Sequence, residues 1–261
     1  MTADALPGEQ QMVVASFGGG VNSTAMLIGM HERGERVDLI LFADTGNEKP
    51  HTYDHVRDAS TFLVEHGMPP IITVVKGGKR ETLEENCLRM KMLPSIAYGF
   101  KSCSHKYKID PQDKFCNNYD PCKAVWNAGG KVQKLIGYDM DEPHRARIPE
   151  DAKYRYRYPL IEWNWGRDEC IAAIDRAGLK QPGKSACFFC PSSKKQEIME
   201  LRRVYPDLAA RAVAMEKNAE LTTVKGLGRN FAWGDLYAAD DAQGKLFGES
   251  NVEVDCGCYD G

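Results

Sequence analysis

Met12-Val-Val-Ala-Ser-Phe17 is a short apolar run that stops at three glycines, and it predicts a buried strand. From Asn22 to Met30 the apolar residues fall at helical spacing behind residues that favour a helix start. Val37–Phe42 predicts a second buried strand. His51 to His66 is an amphipathic helix closed by Gly67 and Pro69-Pro70, and Ile71–Val75 a third strand. Strands alternating with helices predict an α/β fold: an open, mostly parallel sheet with helices on both faces.

Further on the rhythm is weaker. Thr82–Met90 reads as helix, Leu93–Lys106 as irregular, and Lys134-Leu-Ile-Gly137 as a strand ending in the acidic turn Tyr138-Asp-Met-Asp-Glu142. Tyr158-Pro-Leu-Ile161 leads to a helix over Arg167–Ala177. A Gly-, Pro- and Cys-rich loop follows at Gly178–Ser192, then helices at Gln196–Val204 and Leu208–Ala219. There are no repeats. The expected organisation is an α/β domain over 1–165 and a helical, cysteine-containing part over 166–261, together one compact unit.

The chemistry concentrates where the first strand meets the first helix. In Ser16-Phe-Gly-Gly-Gly-Val-Asn-Ser-Thr24, the glycines Gly18, Gly19 and Gly20 let the backbone turn sharply and approach a ligand closely. The exposed N–H groups and the positive helix end make an anion site, to which Ser16, Asn22, Ser23 and Thr24 can add hydrogen bonds. No Gly-Lys-Ser/Thr follows, so this is not a Walker loop, and the glycines lack dinucleotide-fingerprint spacing. The second strand ends in Ala43-Asp-Thr-Gly-Asn-Glu48. Asp44 and Glu48 can hold ribose hydroxyls or a metal, and Thr45 a phosphate; Asp44-Thr-Gly can also simply cap a helix. The two loops together predict a nucleotide site.

Composition narrows the setting. A net charge of −3 with a pI near 6.1 gives no general nucleic-acid signature, so any such contact needs a local basic patch. Leu201-Arg-Arg203 and the Lys184–Lys195 stretch supply local positive charge of that kind, or a solvated face. Met1–Gln11 is polar, without the basic start and apolar run of a secretion signal. No stretch approaches the roughly 18 apolar residues of a membrane helix. Nine cysteines then point to a reducing cytoplasm, with thiols serving chemistry or metal.

The glycine loop, the Ala43–Glu48 turn, Cys103-Ser-His-Lys-Tyr-Lys-Ile-Asp-Pro111 and Tyr158-Pro-Leu-Ile-Glu-Trp163 resemble the phosphoadenosine-phosphosulfate (PAPS) reductase superfamily of PP-loop, or adenine nucleotide α-hydrolase-like, proteins. The similarity runs from about Val13 to Ser192. It implies a Rossmann-like sheet and attack at a nucleotide's α-phosphate or attached sulfate. ATP or PAPS would be the nucleotide, with Mg2+ on its phosphates. Asn22 stands where many PP-loop ATP pyrophosphatases carry Asp. Lys108, which the resemblance places beside the nucleotide, is the candidate to neutralise its charge.

Cys187-Phe-Phe-Cys190 has the two-residue gap that lets two sulfurs face one metal. The resemblance brings Cys103 to the nucleotide loop as a third ligand; Cys87, Cys170, Cys256 or a non-cysteine group can be the fourth. A [4Fe-4S] cluster, zinc or a redox pair, and inert buried thiols all fit this spacing. The tail, Asp255-Cys-Gly-Cys-Tyr-Asp-Gly261, matches half of the reductase tail motif. Cys256 can be a nucleophile toward sulfur, a cluster ligand, or part of an inactive terminus.

Three functions follow. An adenylating ATP pyrophosphatase would use a sulfur donor such as a cysteine desulfurase and a nucleic-acid acceptor, by analogy with DndC-type proteins of DNA phosphorothioation. A sulfonucleotide reductase would use thioredoxin and Cys256. A sensor subunit would bind nucleotide without turnover. His144 and Arg145 can guide a substrate, and Trp163 and Trp165 can stack on a base or simply pack.

Overall fold

The computed structural model describes residues 12–77, 81–94, 96–97 and 100–247. Five strands form one all-parallel sheet: β1 (Val13–Phe17), β2 (Leu39–Asp44), β3 (Ile71–Val75), β4 (Val132–Ile136) and β5 (Tyr154–Arg157), in the order β3-β2-β1-β4-β5. The expected open parallel sheet is what forms.

Alternation along the strands builds a core on each face. Val13, Ala15, Phe17, Ile40, Phe42 and Leu135 point to one side. There they meet α1 (Val21–Glu32), α2 (Pro50–Glu65) and α6 (Arg167–Arg176) through Met26, Leu63, Ala173 and Ile174. Val14, Leu39, Leu41, Ala43 and Val132 point to the other, against Cys116 of α4 (Asp110–Asn118) and Cys122 and Val125 of α5 (Asp120–Asn127). Both expected helical layers are therefore present.

The sheet's order places a switch point between β1 and β4, where the connections leave in opposite directions and a crevice opens at the carboxyl ends. The glycine loop occupies it. Before α4 the chain does not stay irregular as expected: Ser102–Ser104 is a turn of α-helix that runs into a π-helical His105–Ile109. Such π segments are rare and frequently occur at functional positions.

The described residues group into two compact units, one made of those up to Asn86 and 95–188, the other of Cys87–Pro94 and those from Phe189 onward. The division falls later than residue 165 because α6 belongs to the core beside α1. Beyond it lie α7 (Lys195–Val204), α8 (Pro206–Asn218) and α9 (Trp233–Phe247). In this second unit Tyr237 donates to the Ile198 carbonyl (3.1 Å), joining α9 to α7. Trp233 is buried beneath them.

The seven described cysteines form no disulfide. Cys256 and the rest of the tail lie outside the described residues. Among the described residues no helix is long and apolar enough to cross a membrane.

Candidate functional site

The glycine loop is held from four directions. Gly19 adopts φ +74°, a conformation that disfavours side chains, and a Cβ there would lie 3.1 Å from Thr52 Cγ2. Ser23 Oγ accepts from the Gly18 amide (3.2 Å) and donates to the Gly20 carbonyl (3.1 Å), folding the loop over the helix start. Ser16 Oγ donates to Gln112 Oε1 on α4 (2.7 Å), and Ser185 Oγ donates to the Gly18 carbonyl (2.5 Å). Helix α1 begins at Val21, so the amides of Val21, Asn22 and Ser23 have no partner within the helix, as at any helix start.

Behind the loop, Gly137 at the end of β4 touches its backbone. A Cβ there would lie 3.1 Å from Asn22 C and O and from Ser23 Cα. Asn22 Nδ2 donates to buried Asp139 (2.6 Å), and Asn22 Oδ1 accepts from Arg167 Nη1 (3.3 Å). Where Asp would offer a charge, Asn22 instead ties the loop to the acidic turn, and Arg167 brings a cation to the same edge. Sequence alone does not mark Asp139 or Arg167 as site residues; the signals for Asp139 are the glycine directly after a buried strand and the acidic turn that follows it.

Thr24 Oγ1 donates to the Gly20 carbonyl (2.9 Å) and lies 2.8 Å from Nε2 of His55, a buried residue of α2. Burial lowers the His55 pKa, with His51 adding to the effect and Asp58 opposing it. The sign follows. Below the ordinary value of 6.5 the unfolded chain takes up a proton that the folded chain resists, so stability is full above it and falls as pH drops toward the lowered value. The melting temperature of the native chain is expected to fall faster than that of His55→Gln between neutral and mildly acid pH. Parallel melting curves for the two would contradict the assignment.

The second turn forms a compact polar knot. Asp44 Oδ1 accepts from the Gly46 amide (2.7 Å) and from Tyr53 OH (2.8 Å), so one oxygen of Asp44 shapes the turn, as a cap does. Burial, then the Asp44 charge, raises the Tyr53 pKa and keeps its phenol protonated. Gly46 takes φ +74°. Thr45 is buried, its hydroxyl 3.1 Å from Cys187 Sγ. Phe188 N donates to the Asn47 carbonyl (3.0 Å), and Glu48 bridges to Cys187 as an isolated antiparallel pair. The first cysteine of the Cys-x-x-Cys loop is thus docked on the carboxyl end of β2.

Glu48 is the centre of this knot. Its side chain is 0% exposed, and Oε1 accepts from Lys108 Nζ at 2.8 Å. Glu48 Oε2 and Thr52 Oγ1 are buried without a hydrogen-bond partner. A buried carboxylate oxygen left this way marks a place for a further group, such as a ligand hydroxyl or water. The structure therefore brings together Ser16, Gly18, Gly19, Gly20, Asn22, Ser23 and Thr24 at the loop, and Asp44, Thr45, Glu48, Lys108 and Cys187 at the adjacent turn.

Cys103 lies half-buried in the turn preceding Lys108, and Cys190 belongs to the second unit. A cluster or zinc needs three or four ligands. Among the described residues no group of three His, Cys, Asp or Glu gathers to hold a metal. Trp163 and Trp165 pack edge to face, centroids 5.2 Å apart, over Gly29 with Arg33 above both, so they serve packing. Arg145 lies over Tyr138, which stacks on Tyr158.

No protein-family model matches the chain, and no curated protein matches it. Among solved structures the chain is similar to the U34-tRNA thiolase NcsA from Methanococcus maripaludis with its [4Fe-4S] cluster. Identity is 15% and the TM-score 0.45, over 99% of this chain and 79% of that one.

Proposed function

We propose that the chain is a PP-loop enzyme that binds ATP with magnesium and acts at its α-phosphate, adenylating an acceptor and releasing pyrophosphate. The observation that carries this is the placing of the glycine loop and the helix start at the switch point, one turn away from a buried Glu48 oxygen without a partner. The loop amides suit phosphate oxygens. Ser23 and Thr24, whose hydroxyls donate to the Gly20 carbonyl, fix the backbone that carries those amides. Arg167 and Lys108 offer cations for charge that builds as the α–β bond breaks. Magnesium bound to the nucleotide would offset the charge of its phosphates.

The acceptor is proposed to be a nucleic acid that takes up sulfur from a separate donor, in line with the family resemblance of the loop and the Cys187–Cys190 spacing. Cys187 and Cys190 are proposed metal ligands on that spacing and Cys103 on the family resemblance, and no step above runs through a cluster. A sulfonucleotide reductase using Cys256 is the second reading, supported by the Cys256-Gly257 match in the tail. Anaerobic incubation with magnesium and either ATP or PAPS plus thioredoxin, followed by mass spectrometry, separates the two. AMP and pyrophosphate from ATP without sulfite are expected; sulfite and adenosine bisphosphate would overturn the adenylating reading. Iron and acid-labile sulfide content of the same preparation tests the ligands, and absence of both iron and zinc would remove them.

A further inference from the structure

Helix α7 starts in a way that works against its own stability. Lys194 caps it and Lys195 is its first residue, both exposed at the positive end of the helix dipole, where acidic residues are favoured. Glu197, in the first turn, accepts the Lys194 backbone amide (2.9 Å). A local preference broken at one place points to a use there.

Lys195 Nζ lies 5.3 Å from the centre of the Phe231 ring, a cation–π distance. Phe231 belongs to a loop fixed from beneath by Glu216, a buried residue of α8. Its carboxylate accepts the backbone amides of Leu227 (2.6 Å), Trp233 (2.8 Å) and Gly234 (3.1 Å). The loop closes on itself through Lys225 N to the Arg229 carbonyl (2.7 Å). At Gly226 a Cβ would lie 2.6 Å from Ala232 Cα, and at Gly228 it would lie 2.4 Å from the Phe231 ring. Arg229 is held at φ +63°, which a long side chain rarely adopts. The loop is thus anchored in the core at Gly226, Leu227 and Trp233, with Phe231 half-buried, and it holds Lys225, Arg229 and Asn230 exposed to solvent.

What it displays is positive. Leu221–Gly234 contains no Asp or Glu. Among the described residues Lys194, Lys195, Lys225 and Arg229 enter no ion pair. In the same unit Arg202 pairs with Asp240 and Asp241, and Lys91 with Glu220.

We propose that this surface of the second unit binds single-stranded nucleic acid, with Lys194, Lys195, Lys225 and Arg229 on phosphates and Phe231 as a platform for a base. Backbone-tracking cations beside a rigidly held aromatic ring are what a single strand requires. This deepens the acceptor reading above and rests on it only for why a nucleic acid is wanted. A polyanion without bases would use the four cations and leave the ring idle.

The test is fluorescence anisotropy of the full chain with short labelled single strands of RNA and DNA, without ATP, over a salt series. Saturable binding to at least one is expected. Lys195→Gln with Arg229→Gln is expected to weaken it at least tenfold and to reduce the salt slope by about 1.4, the share of two phosphate contacts. Phe231→Leu, which keeps an apolar side chain under Lys195, is expected to weaken binding about tenfold with the slope unchanged. Circular dichroism and melting confirm that each variant folds. No binding by the native chain, unchanged affinity in the folded variants, or equal competition by polyphosphate with Phe231→Leu silent would overturn the proposal. Release of pyrophosphate from ATP without strand binding would sink this inference and spare the adenylating reading; binding without that release would do the reverse.

Discussion

Gly137→Ala is expected to slow release of pyrophosphate from ATP about tenfold while the chain still folds. The added methyl would sit 3.1 Å from Asn22 C and O and from Ser23 Cα, all backbone atoms of the loop and the first turn of α1. Backbone cannot rotate away as a side chain can, so the loop itself must move. Clearing contacts of 3.1 Å takes a shift of a few tenths of an ångström, and since about 1 Å can cost about a hundredfold in rate, about tenfold is expected. The folding cost is that of one overpacked methyl, about 1–3 kcal/mol. Steady-state kinetics set beside thermal melting check both halves. Wild-type turnover in a folded Gly137→Ala chain would show that the loop is not the reacting site.

The second large effect is expected at Lys108. Lys108→Met removes the cation that meets the fully buried Glu48 and leaves that carboxylate alone in the interior. Stranding a buried charge commonly costs about 3–5 kcal/mol, and Lys108 is 35% exposed, so solvent reduces this to about 2 kcal/mol. Turnover is expected to fall about a hundredfold as well, the scale of losing one preorganised charge at a phosphate. Pairing Lys108→Met with Glu48→Gln separates the two effects. The double variant removes both charges, so most of the stability should return while turnover stays low. Recovery of activity with stability would make the pair a structural ion pair only, and chemical denaturation with product analysis distinguishes these outcomes.

Legibility in the sequence followed local chemistry. β1 and β2 announce themselves as apolar runs, because strands buried on both faces need no polar alternation; β3 is equally apolar but lies at the sheet edge with Val75 exposed. β5 does not: Tyr154-Arg-Tyr-Arg157 is an edge strand. One tyrosine turns inward while Arg157 ties to Glu35 and Glu162, and nothing in four such residues marks a strand. Helices α4 and α5 open with Pro111 and Pro121, which read as interruptions, yet proline suits the first turn of a helix. Cys116 and Cys122, unassignable by spacing, are core residues beneath the sheet.

The site shows the same division. Its glycines and hydroxyls are contiguous and were visible, whereas the groups that hold them come from far along the chain. Gln112 meets Ser16 across 96 residues and Asp139 meets Asn22 across 117. No local pattern carries such pairings; they exist only once β4 lies beside β1. Lys108 was marked by resemblance, and its partner Glu48 was marked as a ribose or metal ligand, but their contact became visible only in three dimensions.

The most direct test follows ATP labelled at its γ-phosphate through incubation with magnesium, a sulfur donor and pooled cellular nucleic acid. Label leaving as pyrophosphate, with AMP formed in step and both slowed in Gly137→Ala, is the expected result. Label leaving as orthophosphate with ADP would place the cleavage at the β–γ bond and contradict α-phosphate chemistry at this loop.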